Sequence, residues 1–101
     1  MIELIDWLST EPLPPGTPGW NTLAVKVEGT TRRPGHVFAA VEHLAQDGVC
    51  RVLLAVDLPD AGPDVVTPFS LTIRTTVVGV QTFILAGSTM IEEFRVLAPP
   101  A

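Results

Sequence analysis

Hydrophobic and polar positions alternate most regularly between Thr22 and Glu28, where Leu23, Val25 and Val27 stand against Ala24, Lys26 and Glu28. A period of two is the repeat of a strand, so one face of this segment is expected to be buried and the other wet. Gly29 ends it. From Val49 to Leu58 the alternation disappears, because Val52, Leu53, Leu54, Ala55 and Val56 are consecutive. A run of that kind fits an inner strand covered on both faces. Phe69, Leu71 and Ile73 alternate again with Ser70, Thr72 and Arg74 in a stretch reaching Val78, and after Gly79 another run covers Val80 to Ala86. These two are expected to form a hairpin. Residues Met90 to Leu97 read as a final strand, with a short helix over Thr89 to Phe94 as the competing reading, since Ser88 or Thr89 can cap it.

Two segments carry a helical signal instead. Val37, Val41 and Leu44, joined by Phe38, Ala40 and Ala45, make one apolar stripe at helical spacing. Pro34 suits an early helical position and Gly48 suits the left-handed residue that closes a helix, so a helix is expected from about Pro34 to Asp47. Near the start, Leu4, Ile5 and Leu8 fit a helix of two turns, too short to be stable unless Trp7 and Leu8 dock it. Four prolines between Glu11 and Gly19 turn the following stretch into a stiff arm. The pattern therefore predicts a single α+β domain over residues 1–101, with a mostly antiparallel sheet of about five strands and one main helix packed on it. Residues 1–19 form the N-terminal helix and proline-rich arm. The second face of that sheet lacks cover from its own chain, and a neighbouring subunit would supply it. The order of a helix followed by a run of strands loosely resembles small tail or connector proteins of bacterial viruses, which implies a place in an assembly.

Composition narrows the function classes. The chain has 101 residues, and its 17% charged content is low while its 47% apolar content is ordinary. A thinly charged surface is compatible with burial against another subunit. Eleven acids against six bases give a net charge of −5, which disfavours nucleic acid. The one cysteine, Cys50, has no internal disulfide partner, and Met1 to Leu8 carry Glu3 and Asp6 without the basic region of a secretory signal. A cytoplasmic setting is expected. The apolar tracts Val52 to Val56 and Thr82 to Ala86 are far too short to span a bilayer, so no membrane partner is expected.

Candidate chemistry is sparse. His36 and His43 are seven residues apart, whereas two metal-binding histidines on one helix face are usefully four apart. His43, Asp47 and Cys50 are the one cluster of mixed chemistry, a possible polar site in a pocket between helix and sheet. The simpler reading puts His43 and Asp47 on the wet face of the helix and Cys50 in a small apolar space. Arg33, with Arg32 before a helix N-terminus, is the candidate anion contact, against an ion pair as the plain alternative. Asp57, Asp60 and Asp64 lack the alternate spacing and closing glutamate of a calcium loop. No metal or cofactor is expected. Trp7 and Trp20 bracket the arm and, with Leu8, can anchor into a neighbour or cover their own sheet. The reading these features favour is a non-enzymatic structural or assembly subunit, a homo-oligomer or part of a larger complex, associating through its arm and strand edges. The alternative is a small-molecule binding or enzymatic domain.

Overall fold

The computed structural model describes residues 1–13, 22–44, 48–76 and 82–95, with backbone alone for residues 22, 23, 43, 44 and 76. Within them are eight strands and no helix: β1 (Ile2–Leu4), β2 (Ser9–Pro12), β3 (Thr22–Thr31), β4 (His36–Leu44), β5 (Val49–Asp57), β6 (Thr67–Thr76), β7 (Thr82–Ala86) and β8 (Ile91–Arg95). They form two sheets. Sheet A holds β4, β5, β1, β7 and β8, and sheet B has the order β2-β3-β6. The expected α+β class is therefore corrected to all-β.

The main correction is β4. Val37, Val41 and Leu44 fit a helical stripe, but the same residues read at period two give Val37, Ala39 and Val41 on one face and Phe38, Ala40 and Glu42 on the other. Local pattern does not choose between the two. The choice is made by β5, against which β4 forms an antiparallel ladder of nine residue pairs from His36 opposite Asp57 to Leu44 opposite Val49. Valine, phenylalanine and histidine are weak helix formers, so non-local pairing prevails at small cost. Gly48 keeps its left-handed conformation, with φ of 65°, in the turn between two strands instead of at a helix end.

Three further expectations change. The N-terminal helix is replaced by two short strands, β1 pairing with β5 in sheet A and β2 with β3 in sheet B. The expected hairpin of β6 with β7 does not form, because β6 pairs with β3 and β7 lies parallel to β5. The chain leaves β5 for sheet B and returns, a crossover that makes a parallel pair possible. The final segment is the strand β8, antiparallel to β7. The likeness to viral tail or connector proteins rested on a helix before the strands, and it falls with that helix.

The core lies between the sheets. Val25, Val27 and Ile73 of sheet B meet Val52, Leu54, Val56, Phe83 and Leu85 of sheet A in one buried cluster that also takes in Ile5, Trp7, Cys50 and Leu58. Sheet B thus supplies the cover that the expected helix was to give, and the inner face of sheet A needs no neighbour.

One edge of β5 is shared end to end by two strands. Beside residues 49–53 runs β7, and beside residues 55–57 runs β1. The Ile5 amide donates to the Leu54 carbonyl at 3.0 Å in the gap between them. Asp6 then ties this junction to the β7–β8 turn. Its carboxylate accepts the Thr89 hydroxyl at 2.5 Å, the Thr89 amide at 2.8 Å and the Met90 amide at 3.0 Å. The hydroxyl first, then these amides, hold the Asp6 carboxyl below its usual range, and Arg32 does the same for Glu3 through a hydrogen bond at 3.1 Å. A carboxyl lowered in the folded state adds stability above its unfolded value of about 3.9 for aspartate, and that stability is lost as pH falls through the folded value. Urea midpoints are thus expected to be level above about pH 5 and to drop below about pH 4. The Asp6→Asn variant should show a shallower acid limb. An unchanged limb in that variant would remove Asp6 from the account.

Candidate functional site

Of the cluster nominated from sequence, the fold brings two members together. His43 and Cys50 are direct partners in the β4–β5 ladder, while Asp47 lies outside the described residues. Cys50 is fully buried, with its thiol 3.7 Å from the Glu42 carbonyl oxygen, and burial pushes its pKa up. A protonated thiol in the core is the opposite of an activated nucleophile. Arg33 is engaged within the chain. Its guanidinium donates to Asp64 at 2.7 and 2.9 Å and to the Pro59 carbonyl at 3.1 Å, so a carboxylate of the protein fills the place considered for an anion. There is no helix N-terminus beside it. Arg32 reaches Glu3 through two nitrogens.

Of the candidate anchors, Trp7 is 5% exposed and belongs to the core, whereas Leu8 is 77% exposed. Trp20 lies outside the described residues. No group of three side chains that could hold a metal ion occurs among the described residues. No helix there is long and apolar enough to cross a membrane.

The sequence predicts an uncovered sheet face but does not identify the residues that form it. Register places Ile2, Leu4, Phe38, Ala40, Leu53, Ala55, Ile84, Ala86 and Ile91 together on the outer face of sheet A. Ile91 is 76% exposed and Ile2 65%, and Leu4 is also exposed. The outer face of sheet B is different in kind, carrying Lys26, Glu28, Ser70, Thr72 and Arg74. The signal for the apolar face was the unbroken run Val52 to Val56, which asks for two covers when the described residues provide one.

Charge on this face is balanced. Glu42 pairs with Arg51 at 3.7 Å, and Glu93 and Arg95 stand on the same side of β8. Asp57 stands on the same face opposite Ile2 and His36, so three carboxylates meet two arginines and the Met1 ammonium, and the net −5 lies elsewhere. The Met1 ammonium likewise meets Asp57 at 3.3 Å at one corner.

A second feature is a cleft of about 350 Å³ along one side of the sandwich. Val37, Ala39 and Val41 of β4 form one wall, and Leu71, Ile73 and Thr75 of β6 the other. On the opposite side the sheets are joined by Thr10 of β2, whose hydroxyl donates to Glu92 of β8 at 2.8 Å. One seam is tied and the other is open.

These observations define a two-sheet, all-β protein with one polar and one apolar outer face. Comparison with protein-family models, with curated proteins and with solved structures finds no match.

Proposed function

We propose that the chain is a non-enzymatic assembly subunit that associates with copies of itself through the outer face of sheet A. The observation that supports this reading is the apolar character of that face, from Leu4 and Ile91 through Leu53 and Ile84 to Phe38. Three strand positions of about nine residues and the five-residue β8, at about 4.8 Å and about 3.4 Å, give roughly 500 Å² in flat projection, at the small, reversible end of interfaces that average roughly 800 Å² per partner. Neutrality of the face suits a second copy, because two such faces meet without net repulsion although each chain is acidic. Twofold packing of one face on its copy completes the cover that the β5 run calls for. A cytoplasmic setting agrees with the single unpaired cysteine.

Native mass measured across a dilution series tests the reading. The wild-type chain is expected to exceed monomer mass at about 100 µM and to dissociate on dilution. Leu4→Glu with Ile91→Glu changes exposed residues, so it should leave the fold intact while placing four carboxylates in the contact and abolishing association through this face. A wild-type chain that remains monomeric at that concentration would reject the proposal.

A further inference from the structure

We infer that the free edge of β4 is a second self-association site, where the strand pairs antiparallel with β4 of another copy about a twofold axis at Ala39. This rests on the assembly reading above and adds a contact distinct from the outer face of sheet A.

A free strand edge exposes unpaired backbone groups and invites pairing, so folded proteins protect their edges with charge, proline or short length. Four of the five edges among the described residues are protected in this way, β1 by its length of three residues with Glu3 at its centre. The edge strand β8 has Glu92, Glu93 and Arg95 among its five residues, β2 is four residues long and ends at Pro12, and β6 carries Pro68 and Arg74. The fifth, β4, is not. It runs for nine residues, His36–Leu44, with no proline, lysine or arginine and with Glu42 as its one carboxylate.

The occupant is argued from the sequence of the edge itself. A twofold axis through Ala39, perpendicular to the sheet, opposes residues whose numbers sum to 78. Phe38 then faces Ala40 of the copy, a large ring beside a methyl group on the outer face. Val37 faces Val41, two β-branched side chains on the inner face. His36 faces Glu42, a basic group against an acidic one, and Ala39 faces itself. Each of these pairings occurs twice, except that of Ala39 with itself, which lies on the axis. Every cross-strand pair from His36 to Glu42 is compatible, and like charges are nowhere opposed. The face on which each residue lies is also preserved, since the partner register keeps odd positions with odd and even with even. Because Val37, Ala39 and Val41 also wall the open cleft, the same axis brings the clefts of both copies together and shields their apolar linings.

Two different twofold contacts on one chain, one at an edge and one on a face, build a closed tetramer or an open array, where either alone stops at a dimer. The expected mass of the wild-type chain is accordingly above that of a dimer.

The test combines charge exchange with hydrogen exchange. Glu42→Lys sets a lysine opposite His36 of the copy at two symmetric places and is expected to weaken edge association about tenfold. Because Glu42 also pairs with Arg51 on the outer face, the edge effect is read from the β4 amides, whose concentration dependence this variant should lose. Combining Glu42→Lys with His36→Glu reverses both members of each pair and should restore association to within about threefold of wild type. Amides of β4 in the wild-type chain should exchange several-fold more slowly at high than at low concentration, whereas those of β2 and β6 should not respond. An oligomer whose β4 amides ignore concentration, or a Glu42→Lys chain that associates like wild type, overturns the edge contact and leaves the outer-face reading standing. A double variant that fails to recover also overturns it. A chain monomeric throughout overturns both.

Discussion

Replacing Trp7 with alanine is expected to remove about 3–5 kcal/mol of folding stability, and to do so at every protein concentration. Trp7 lies on the link that carries the chain from β1 in sheet A to β2 in sheet B, it is 5% exposed, and it belongs to the cluster between the sheets. Its indole closes one end of the sandwich, with ring atom Cζ3 against Gly87 of the β7–β8 turn. Truncation to a methyl group opens a cavity beside two backbone segments that are themselves hydrogen-bonded and have little freedom to collapse. A domain of this size has roughly 5–15 kcal/mol in total, so the loss is a large part of it. Equilibrium urea unfolding at two concentrations about a hundredfold apart is the measurement. An anchor tryptophan in an intersubunit contact behaves differently, since its removal lowers the oligomer's stability and leaves the dilute monomer as stable as before. That second pattern would move Trp7 from the core to an interface.

The same residue shows what kind of information a single sequence carries. Near the start of the chain the strands have three and four residues, too few to establish a period, and Leu4, Ile5 and Leu8 fall by coincidence on a helical spacing. The strand β3 was legible over Thr22 to Glu28, where Lys26 and Glu28 mark the wet face, although it runs past the end expected at Gly29 and on to Thr31. The inner position of β5 was legible as well, since five consecutive apolar residues have no solvent side. The identity of its cover was not, because that depends on which distant strands stack on it. For β4 two periodicities coexist in one segment, and pairing with β5 decides between them. Sheet membership of β6 and β7 was equally hidden, since strands placed next to each other in sequence commonly pair and these two do not.

The candidate surface follows the same division. The unbroken run in β5 states that two faces need cover, and that much can be read directly. That sheet B takes the inner face, while Leu4, Phe38, Ile84 and Ile91 gather on the outer one, follows from registers linking residues as far apart as Leu4 and Ala55. His43 and Cys50 do come together, but as partners across the β4–β5 ladder and not from the end of a helix. Once the segment is a strand, Cys50 is seen to be a core residue whose thiol is held protonated by burial.

Gly87→Ala is expected to cost about 2–3 kcal/mol, which for a chain of this length is roughly 10–20 °C in Tm. A Cβ atom at this position would stand 2.5 Å from the Ile5 carbonyl oxygen, 2.7 Å from an Asp6 carboxylate oxygen and 3.0 Å from Trp7 Cζ3. The first of these is backbone and cannot rotate away. It belongs to the residue whose amide donates to Leu54 at 3.0 Å, so yielding to the methyl group means separating β1 from β5. The second contact is the carboxylate that holds the Ser88 to Met90 turn, and displacing it releases the hydrogen bonds to Thr89 and Met90. Both routes of relief open the junction where β1 and β7 share one edge of β5. Scanning calorimetry measures the shift, and the Asp6→Asn variant separates the routes. If the carboxylate is what gives way, adding Gly87→Ala to Asp6→Asn costs much less than it does in the wild-type chain. If the Ile5 carbonyl gives way, the two losses add. A Gly87→Ala chain as stable as wild type would mean that the end-to-end junction of β1 and β7 is looser than these distances require.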